Sequence, residues 1–165
     1  MTALEVIEIL GLAPHPREGG FFVETYRSSR QLPPLETHPH PRLESTAIYY
    51  LLTPQTYSRL HRLRSDEIFH HYAGDTVEML QLFPDGSSKV IPIGKDFMAG
   101  ERPQVLAPAG VWQGSRLKAG GVWALLGCTV APGFEYEDYE DAPRDYFLKR
   151  YSLNHELICA LTPSP

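Results

Sequence analysis

The sequence predicts a mainly β protein, a sandwich or barrel of short antiparallel strands with a helix near each end. About eight or nine short runs of β-favouring residues follow one another, with turns spaced about 8–12 residues apart. These runs have the lengths of strands and are either alternating or continuously apolar. Helical periodicity is confined to the two ends of the chain.

The first ten residues predict a helix over residues 3–10. Thr2 and Glu5 have the spacing of a capping box, in which each side chain accepts a hydrogen bond from the backbone of the other residue. Gly11 is placed to end the helix, and Pro14 prevents it from continuing.

A β-barrel is predicted over about residues 19–136. The turn Pro84-Asp85-Gly86 is typical of a β-hairpin. The proline-rich stretch 31–42 is interpreted as a surface loop that exposes His38 and His40. The strands are expected at 21–28, 45–53, 56–63, 67–73, 76–83, 89–93, 105–106, 111–117 and 122–130.

The remaining segment, residues 137–162, is expected to end in an amphipathic helix over 152–161. Its apolar side would carry four residues, Leu153, Leu157, Ile158 and Leu161. The acidic run 135–141 is interpreted as a solvated surface segment. Because the chain has 165 residues and no long linker, we expect residues 1–165 to form one domain.

Charge and composition argue against two classes of partner. The net charge is −5 and no basic stripe occurs, whereas nucleic-acid binders normally carry one. The longest apolar stretch, 120–128, is too short to cross a bilayer. The acidic start of the chain does not resemble a secretory signal, and Cys128 and Cys159 lack metal-site spacing. We therefore expect a cytoplasmic protein with two free thiols that binds neither nucleic acid nor membrane.

Candidate chemical side chains gather in residues 61–75. Side chains alternate between the two faces of a strand, so Glu67 should share a face with Phe69 and His71, while His70 faces the other way. If the strands on either side of the turn at 64–66 pair, His61 and Glu67 converge on one wall of the barrel. Such a pair can bind a divalent metal or act in acid–base catalysis, and it is equally compatible with a structural hydrogen bond.

Two motifs resemble those of the cupin superfamily. His61-x-Leu63-x3-Glu67-x6-Gly74 is similar to the first cupin motif, and residues 108–113, Pro-Ala-Gly-Val-Trp-Gln, are similar to the second. Longer phrases at 15–22, 65–75 and 108–114 resemble a branch of small bacterial and fungal cupins with no assigned activity. The resemblance covers nearly the whole chain. It implies an antiparallel jelly-roll barrel, the double-stranded β-helix, with a small-molecule pocket around His61, Glu67 and Gln113.

The chain departs from the cupin pattern at its metal ligands. Leu63 and Gln113 stand where the family has its second and third ligand histidines. The divalent metal that the resemblance implies would be held by His61, Glu67 and Gln113, with His71 as a substitute ligand. Because this set is weaker than two or three imidazoles, a metal-free site is favoured.

Metal-free sugar-nucleotide epimerases, the dTDP-4-dehydrorhamnose 3,5-epimerases, share the cupin fold. In them a histidine removes a proton beside a ketone and a tyrosine returns one. This chain is similar to them in its fold and in an arginine close to the histidine, Arg59 beside His61. The resemblance implies a tyrosine as the acid, and the candidates are Tyr49, Tyr50, Tyr57 and Tyr72.

Three functions stay open at this point. The chain is an isomerase or epimerase-like enzyme on a small polar, carbohydrate-type ligand, a metal-dependent enzyme such as a dioxygenase, or a binding barrel without catalysis. Phe69 and Trp112 are expected either to line the ligand pocket or to pack in the core. Small cupins of this branch are usually dimers, and long apolar edge strands would also favour a homodimer.

Overall fold

A computed structural model describes residues 1–163 of the protein as two antiparallel β-sheets with short helices near both ends. This architecture confirms the predicted fold class. A 3-10 turn at Tyr136–Asp138 precedes the last strand. The elements in chain order are α1 (Ala3–Leu10), β1 (Ala13–Pro14), β2 (Phe21–Arg27), β3 (Gln31–Leu32), β4 (Arg42–Leu43), β5 (Thr46–Leu52), β6 (Tyr57–Arg62), β7 (Asp66–Gly74), β8 (Val77–Leu82), β9 (Ser88–Ile93), β10 (Gln104–Ala107), β11 (Trp112–Leu117), β12 (Ala124–Ala131), β13 (Glu140–Asp141), α2 (Arg144–Arg150) and α3 (His155–Ala160).

The larger sheet has six strands in the order β1-β2-β5-β12-β7-β10, and the second has five in the order β13-β6-β11-β8-β9. The two remaining strands, β3 and β4, pair with each other. Every predicted strand is present to within two residues at either end. The additional strands β1, β3, β4 and β13 have two residues each, which is too short to leave a periodic pattern in the sequence.

The strands that carry His61 and Glu67 do not pair with each other, so that expectation is wrong. β6 pairs with β11 and β13 in the five-stranded sheet, whereas β7 pairs with β10 and β12 in the six-stranded sheet. The turn between them carries the chain from one sheet to the other. The two side chains consequently approach across the barrel interior rather than along one wall.

The helices cover the outer faces of the two sheets. Helix α1 places Val6 against Leu51 of the six-stranded sheet. Helices α2 and α3 bury Phe147 and Ile158 against Trp112 of the five-stranded sheet. A buried apolar cluster that includes Tyr50, Phe69, Met79 and Leu126 lies between the sheets.

The ends of α1 agree with the prediction. The backbone N–H of Thr2 donates to Oε2 of Glu5 over 2.7 Å, and the N–H of Glu5 donates to Oγ1 of Thr2 over 3.3 Å. Gly11 ends the helix with a left-handed φ of 65°. The local sequence is therefore sufficient to set both ends of this helix.

The C-terminal prediction is wrong in two respects. The structure has two helices in this segment, α2 and α3, whereas the sequence predicted only one. Asn154 adopts a left-handed φ of 60°, so α3 begins only at His155 and Leu153 is 64% exposed. Within α2 a single residue, Phe147, is buried, and one buried position gives no helical period.

The predicted exposed segments are also partly wrong, because His38 and Asp138 are buried. The guanidinium of Arg42 donates from Nε and Nη2 to the two carboxylate oxygens of Asp138, each over 3.0 Å. The Nε2 of His38 lies 3.0 Å from Oγ of Ser65. The buried charge of Asp138 requires a partner such as Arg42, which lies far from it in the sequence. His40 is exposed, as expected.

Three of the four edge strands are shorter than the long apolar edges that favoured a homodimer. The edge strands β1 and β13 have two residues each and β10 has four. The fourth edge, β9, contains Pro92, which cannot donate to a further strand. The homodimer therefore remains a prediction that depends on the family resemblance alone.

Two further expectations concern the cysteines and the membrane. Cys128 and Cys159 are both free thiols, as predicted. Among residues 1–163, the helices are all too short or too polar to span a bilayer.

Candidate functional site

A cavity of about 170 Å³ lies beside β2, β5 and β12. Its buried wall contains Glu67 and Cys128, while Glu24 and Arg27 are exposed at its rim. The volume exceeds that of a single water, whose share of the liquid is about 30 Å³, so a ligand of several non-hydrogen atoms can enter. The lining residues are His15, Glu18, Phe22, Glu24, Arg27, Thr46, Ala47, Ile48, Leu63, Glu67, Cys128, Val130, Phe134 and Tyr136.

Gln113 connects His61 and Glu67 across the barrel interior. Its Nε2 donates to Oε2 of Glu67 over 2.7 Å and lies 3.1 Å from Nε2 of His61. All three side chains are buried. The sequence thus predicted correctly that these three residues meet, although not that the amide nitrogen is the atom in the middle.

The hydrogen bonds determine which atoms donate. Nδ1 of His61 lies 2.7 Å from the carbonyl oxygen of Arg59, which can only accept, so Nδ1 carries the proton. Nε2 of a neutral imidazole is then an acceptor, and the amide of Gln113 supplies its two N–H groups to Nε2 and to Glu67. The amide oxygen of Gln113 is buried without a partner in the described chain.

The carboxyl of Glu67 titrates far from its ordinary range. Burial, followed by the nearby charge of Glu18, raises the pKa of Glu67, and hydrogen bonds from Gln113 and Cys128 oppose the rise, so that the pKa is about 8. A group with this pKa exchanges a proton near neutral pH, as a general acid or base must.

Glu18 enters the same cavity from the loop before β2. Gly19 and Gly20 both have positive φ and bring this loop against the barrel, where the hydroxyl of Tyr50 donates to the carbonyl of Gly19 over 2.8 Å. The hydroxyl of Ser58 donates to Oε1 of Glu18 over 2.6 Å. The other carboxylate oxygen, Oε2 of Glu18, does not share this hydrogen bond from Ser58.

The two histidines nearest to Glu18 do not hydrogen bond its Oε2. Nε2 of His15 and Nε2 of His61 each lie 3.9 Å from this oxygen. Nδ1 of His15 accepts from the backbone N–H of Glu18 over 2.8 Å. Burial lowers the pKa of His15, although the charge of Glu18 opposes this effect.

The ring of Tyr139 packs on the imidazole of His61. Their rings stack with centroids 4.8 Å apart and an interplanar angle of 16°. The guanidinium of Arg17 also lies over the tyrosine ring, 4.5 Å from its centroid. The hydroxyl of Tyr139 is buried with no partner among residues 1–163, and burial raises its pKa.

Three residues expected at the site lie elsewhere. Tyr49 and Tyr72 contact each other edge-on at 5.9 Å on the outer face of the six-stranded sheet, and Tyr72 is 47% exposed. Trp112 packs under the C-terminal helices, 5.0 Å from Phe147. Tyr49 and Tyr72 are therefore not placed to act as the acid beside His61, and Trp112 takes the core-packing alternative, because all three side chains point away from the barrel interior.

Other predicted residues are close to the site without lining the cavity. Phe69 is buried in the apolar core, and Tyr57 packs towards the C-terminal helices. The side chain of Arg59 extends to Asp141, 3.8 Å away, and its backbone carbonyl is what contacts His61.

His71 shares the inward face with Glu67, as predicted, but the two are four residues apart on one strand, about 13 Å at 3.3 Å per residue. Nε2 of His71 instead lies 3.0 Å from the carbonyl oxygen of Asp75, to which it donates. His71 therefore cannot serve as a metal ligand together with Glu67.

The site residues do not fit the divalent metal that the cupin resemblance implies. At the position of the third ligand, the N–H groups of Gln113 point at the two ligand atoms that remain, His61 Nε2 and Glu67 Oε2. Leu63 stands in place of another ligand imidazole. Nε2 of His61 accepts from this N–H group, so the amide oxygen of Gln113 is turned away from both side chains. Within residues 1–163 no three His, Cys, Asp or Glu side chains are grouped to hold a metal ion.

Sequence reasoning missed Glu18, His15 and Tyr139. The phrase at residues 15–22 is similar to small cupins, and its paired glycines, which the structure packs tightly against the barrel, were the available signal for Glu18. Tyr139 lies within an acidic run that looked solvated, and no local pattern predicts its burial.

Comparison with known proteins shows the family of the chain. Residues 4–142 match the family described as Cupin superfamily (DUF985). The uncharacterised protein YML079W of Saccharomyces cerevisiae is 33% identical over 134 residues, which are 74% of this chain and 67% of the yeast protein.

Solved structures extend the similarity to the whole chain. A hypothetical protein from Leishmania major has 31% identity and a TM-score of 0.91, covering 99% of this chain and 100% of its own. Protein SO0799 from Shewanella oneidensis has 33% identity and a TM-score of 0.89, covering 100% of this chain and 99% of its own. Oxalate decarboxylase from Bacillus subtilis has 15% identity and a TM-score of 0.56 over 93% of this chain and 38% of its own, which is a likeness of fold alone.

Proposed function

The chain belongs to the DUF985 family of the cupin superfamily, and from this we propose that its barrel binds a small polar molecule and transfers a proton to or from it through Glu67. The reaction class is that of an isomerase or epimerase. The observation that carries the proposal is the position of Glu67, a buried carboxyl in the wall of a cavity. Gln113 hydrogen bonds it, and the charge of a second carboxyl, Glu18, raises its pKa.

Glu67, rather than His61, is the group that meets the ligand. Glu67 lines the cavity, whereas His61 lies behind it, stacked on Tyr139 and bonded to Gln113. In its neutral form Glu67 can donate a proton, and in its ionised form it can accept one from a carbon beside a carbonyl group. The N–H of Gln113 stabilises the ionised form, and His61 fixes the direction of that N–H.

Glu18 supplies the second half of a proton transfer. Both carboxyls line one cavity, but Glu67 is buried and Glu18 is partly exposed, so the two environments differ. Carboxyls with different environments in one site can divide the roles of acid and base. An isomerase needs these two roles, because a proton removed at one position returns at another.

Solvent exchange tests the proposal directly. The protein is incubated in D2O with a panel of keto-sugars and hydroxyketones, and deuterium at the carbon beside the carbonyl is measured by NMR. We expect exchange above the buffer rate for the wild type and a loss of at least about 100-fold for Glu67→Gln. The matched control is Glu140→Gln, which removes an exposed carboxylate that binds Arg62 and does not line the cavity.

Two outcomes contradict this function. Wild-type exchange no faster than buffer across the panel argues against proton transfer. Exchange that persists in Glu67→Gln excludes Glu67 as the group responsible. Thermal stabilisation by a panel compound without exchange would instead indicate a binding barrel without catalysis.

A further inference from the structure

The outer part of the cavity has an aromatic wall made by Phe22, Phe134 and Tyr136. The rings are tilted against one another: Phe134 and Tyr136 meet at 79° with centroids 5.1 Å apart, and the imidazole of His15 lies 4.6 Å from Phe22 at 59°. Edge-to-face packing of Phe134 and Tyr136 holds these rings at a fixed angle in the cavity wall. An aromatic wall attracts cations, because the ring faces are electron-rich.

The charge in the same cavity is negative and lacks a cationic partner. Oε2 of Glu18 has imidazole nitrogens at 3.9 Å, and Nδ1 of His15 already accepts a backbone hydrogen bond, so burial keeps this imidazole neutral near pH 7. Arg27 is the lining residue with a permanent positive charge, and its guanidinium is held by Glu24 and Glu135. A partly buried carboxylate without a cation is unfavourable unless a ligand supplies one.

We infer that the ligand of this cavity is a small organic cation, an amine or a quaternary ammonium, held by Glu18 and by the aromatic wall. This inference rests on the small-molecule site proposed above and names its ligand class. An anion would be repelled by Glu18, whose charge is not offset as that of Glu24 is by Arg27. A compact metal ion gains nothing from the aromatic wall, whereas an ammonium group with carbon substituents contacts both the rings and the carboxylate.

Binding of a cation also acts on Glu67. A positive charge in the cavity stabilises the ionised carboxylate and lowers its pKa from about 8 towards the ordinary range. Near pH 7 the protein therefore releases a proton when the cation binds. A neutral ligand of the same shape does not produce this release, so the proton count distinguishes the two classes.

Isothermal titration with choline, tetramethylammonium and 3,3-dimethylbutan-1-ol, the neutral carbon analogue of choline, tests the inference. Titrations in two buffers of different ionisation enthalpy at pH 7 give the number of protons released. We expect the cations to bind at least about tenfold more tightly than the neutral analogue, with release of a fraction of a proton. Glu18→Gln should remove this preference, and Glu140→Gln should retain it.

A second variant separates the wall from the charge. Phe134→Leu keeps an apolar side chain but removes the ring, and we expect cation binding to weaken about three- to tenfold while the neutral analogue changes little. Far-ultraviolet circular dichroism verifies that each variant is folded. Equal binding of the cations and the neutral analogue, or a cation preference that survives in Glu18→Gln, overturns the inference.

If neither cation binds, the inferred ligand class is wrong. The proposed function still holds in that case if the wild type exchanges deuterium into neutral ketones and Glu67→Gln does not. Conversely, tight cation binding without such exchange supports the cation site and contradicts the proton-transfer function.

Discussion

Gln113 donates a hydrogen bond to Glu67 over 2.7 Å, although the two residues lie on strands of different sheets. The same amide nitrogen reaches His61, the neighbour of Gln113 across β6 and β11. An amide does not titrate near neutral pH, so this bridge holds the imidazole and the carboxyl in one arrangement while Glu67 gains or loses its proton. A histidine at this position could not do so, because its own protonation would change with that of Glu67.

The raised pKa of Glu67 makes stability depend on pH. Between the ordinary value of 4.5 and about 8, the folded protein holds a proton that the unfolded chain has lost. Stability from this group is therefore complete at low pH and falls as pH rises through this window, by about 1.4 kcal/mol per pH unit. We expect urea unfolding from about pH 5 to 8 to show this slope in the wild type relative to Glu67→Gln. Parallel pH profiles for the two proteins would show that Glu67 titrates normally.

Restoring the cupin ligands should create a metal site. Leu63 lines the cavity next to Glu67, and Gln113 lies between Glu67 and His61. The double variant Leu63→His, Gln113→His would place three imidazoles around one carboxylate, a set suited to divalent transition metals. Elemental analysis after incubation with Mn²⁺ or Zn²⁺ and dialysis should find about one equivalent of metal.

The matched control for this gain is Leu63→Met, Gln113→Met, which replaces the same side chains without adding a nitrogen ligand. It should retain no more metal than the wild type. A wild type that itself retains an equivalent of metal lost in His61→Ala would contradict the assignment of Gln113 as a bridge rather than a ligand.

The sequence was sufficient for features that depend on local chemistry. Thr2, Glu5 and Gly11 specify the first helix, and the motif that ends at Gly74 specifies the end of β7. Gly74 has a φ of 86° and lies so close to the carbonyl of Trp123 that a side chain would collide with it. Such constraints involve a few neighbouring residues and leave a signature in the sequence.

The sequence was insufficient where distant segments meet. It brought His61, Glu67 and Gln113 together through motif spacing but placed His61 and Glu67 on paired strands, because periodicity does not tell which sheet a strand joins. It left His38 in an exposed loop, since its burial depends on Ser65, 27 residues away. Two consecutive tyrosines lie in β5, and only the faces of the finished barrel show that Tyr50 is inside and Tyr49 outside.

The ion pair of Arg42 and Asp138 should contribute strongly to stability. Both side chains are buried, and two hydrogen bonds of 3.0 Å join them. Asp138→Asn removes the buried counter-charge of the guanidinium and leaves it only the exposed carboxylate of Glu137, so we expect a loss of up to about 3–5 kcal/mol in the free energy of unfolding. Glu135→Gln, which breaks an exposed pair with Arg27, should lose less than about 1 kcal/mol. Equal losses in both variants would show that solvent reaches the Arg42 pair.

Removing one hydroxyl group should have opposite effects at two tyrosines. The hydroxyl of Tyr139 is buried without a partner in the part of the chain that the structure describes, whereas that of Tyr50 donates to the carbonyl of Gly19. Tyr139→Phe removes an unsatisfied polar atom and keeps the ring on His61, so the free energy of unfolding should stay equal or rise. Tyr50→Phe leaves a carbonyl unpaired beside Glu18 and should lower it by about 1–3 kcal/mol.

Tyr139→Leu separates the ring from the hydroxyl. This variant loses the stacking on His61 and the contact with Arg17, and we expect it to be less stable than Tyr139→Phe by at least about 1 kcal/mol. The three variants are compared by urea unfolding at one pH, because a common pH removes the contribution of Glu67. A loss in Tyr139→Phe as large as that in Tyr50→Phe would mean that the Tyr139 hydroxyl has a partner, and a bound water is then the group to seek beside His61.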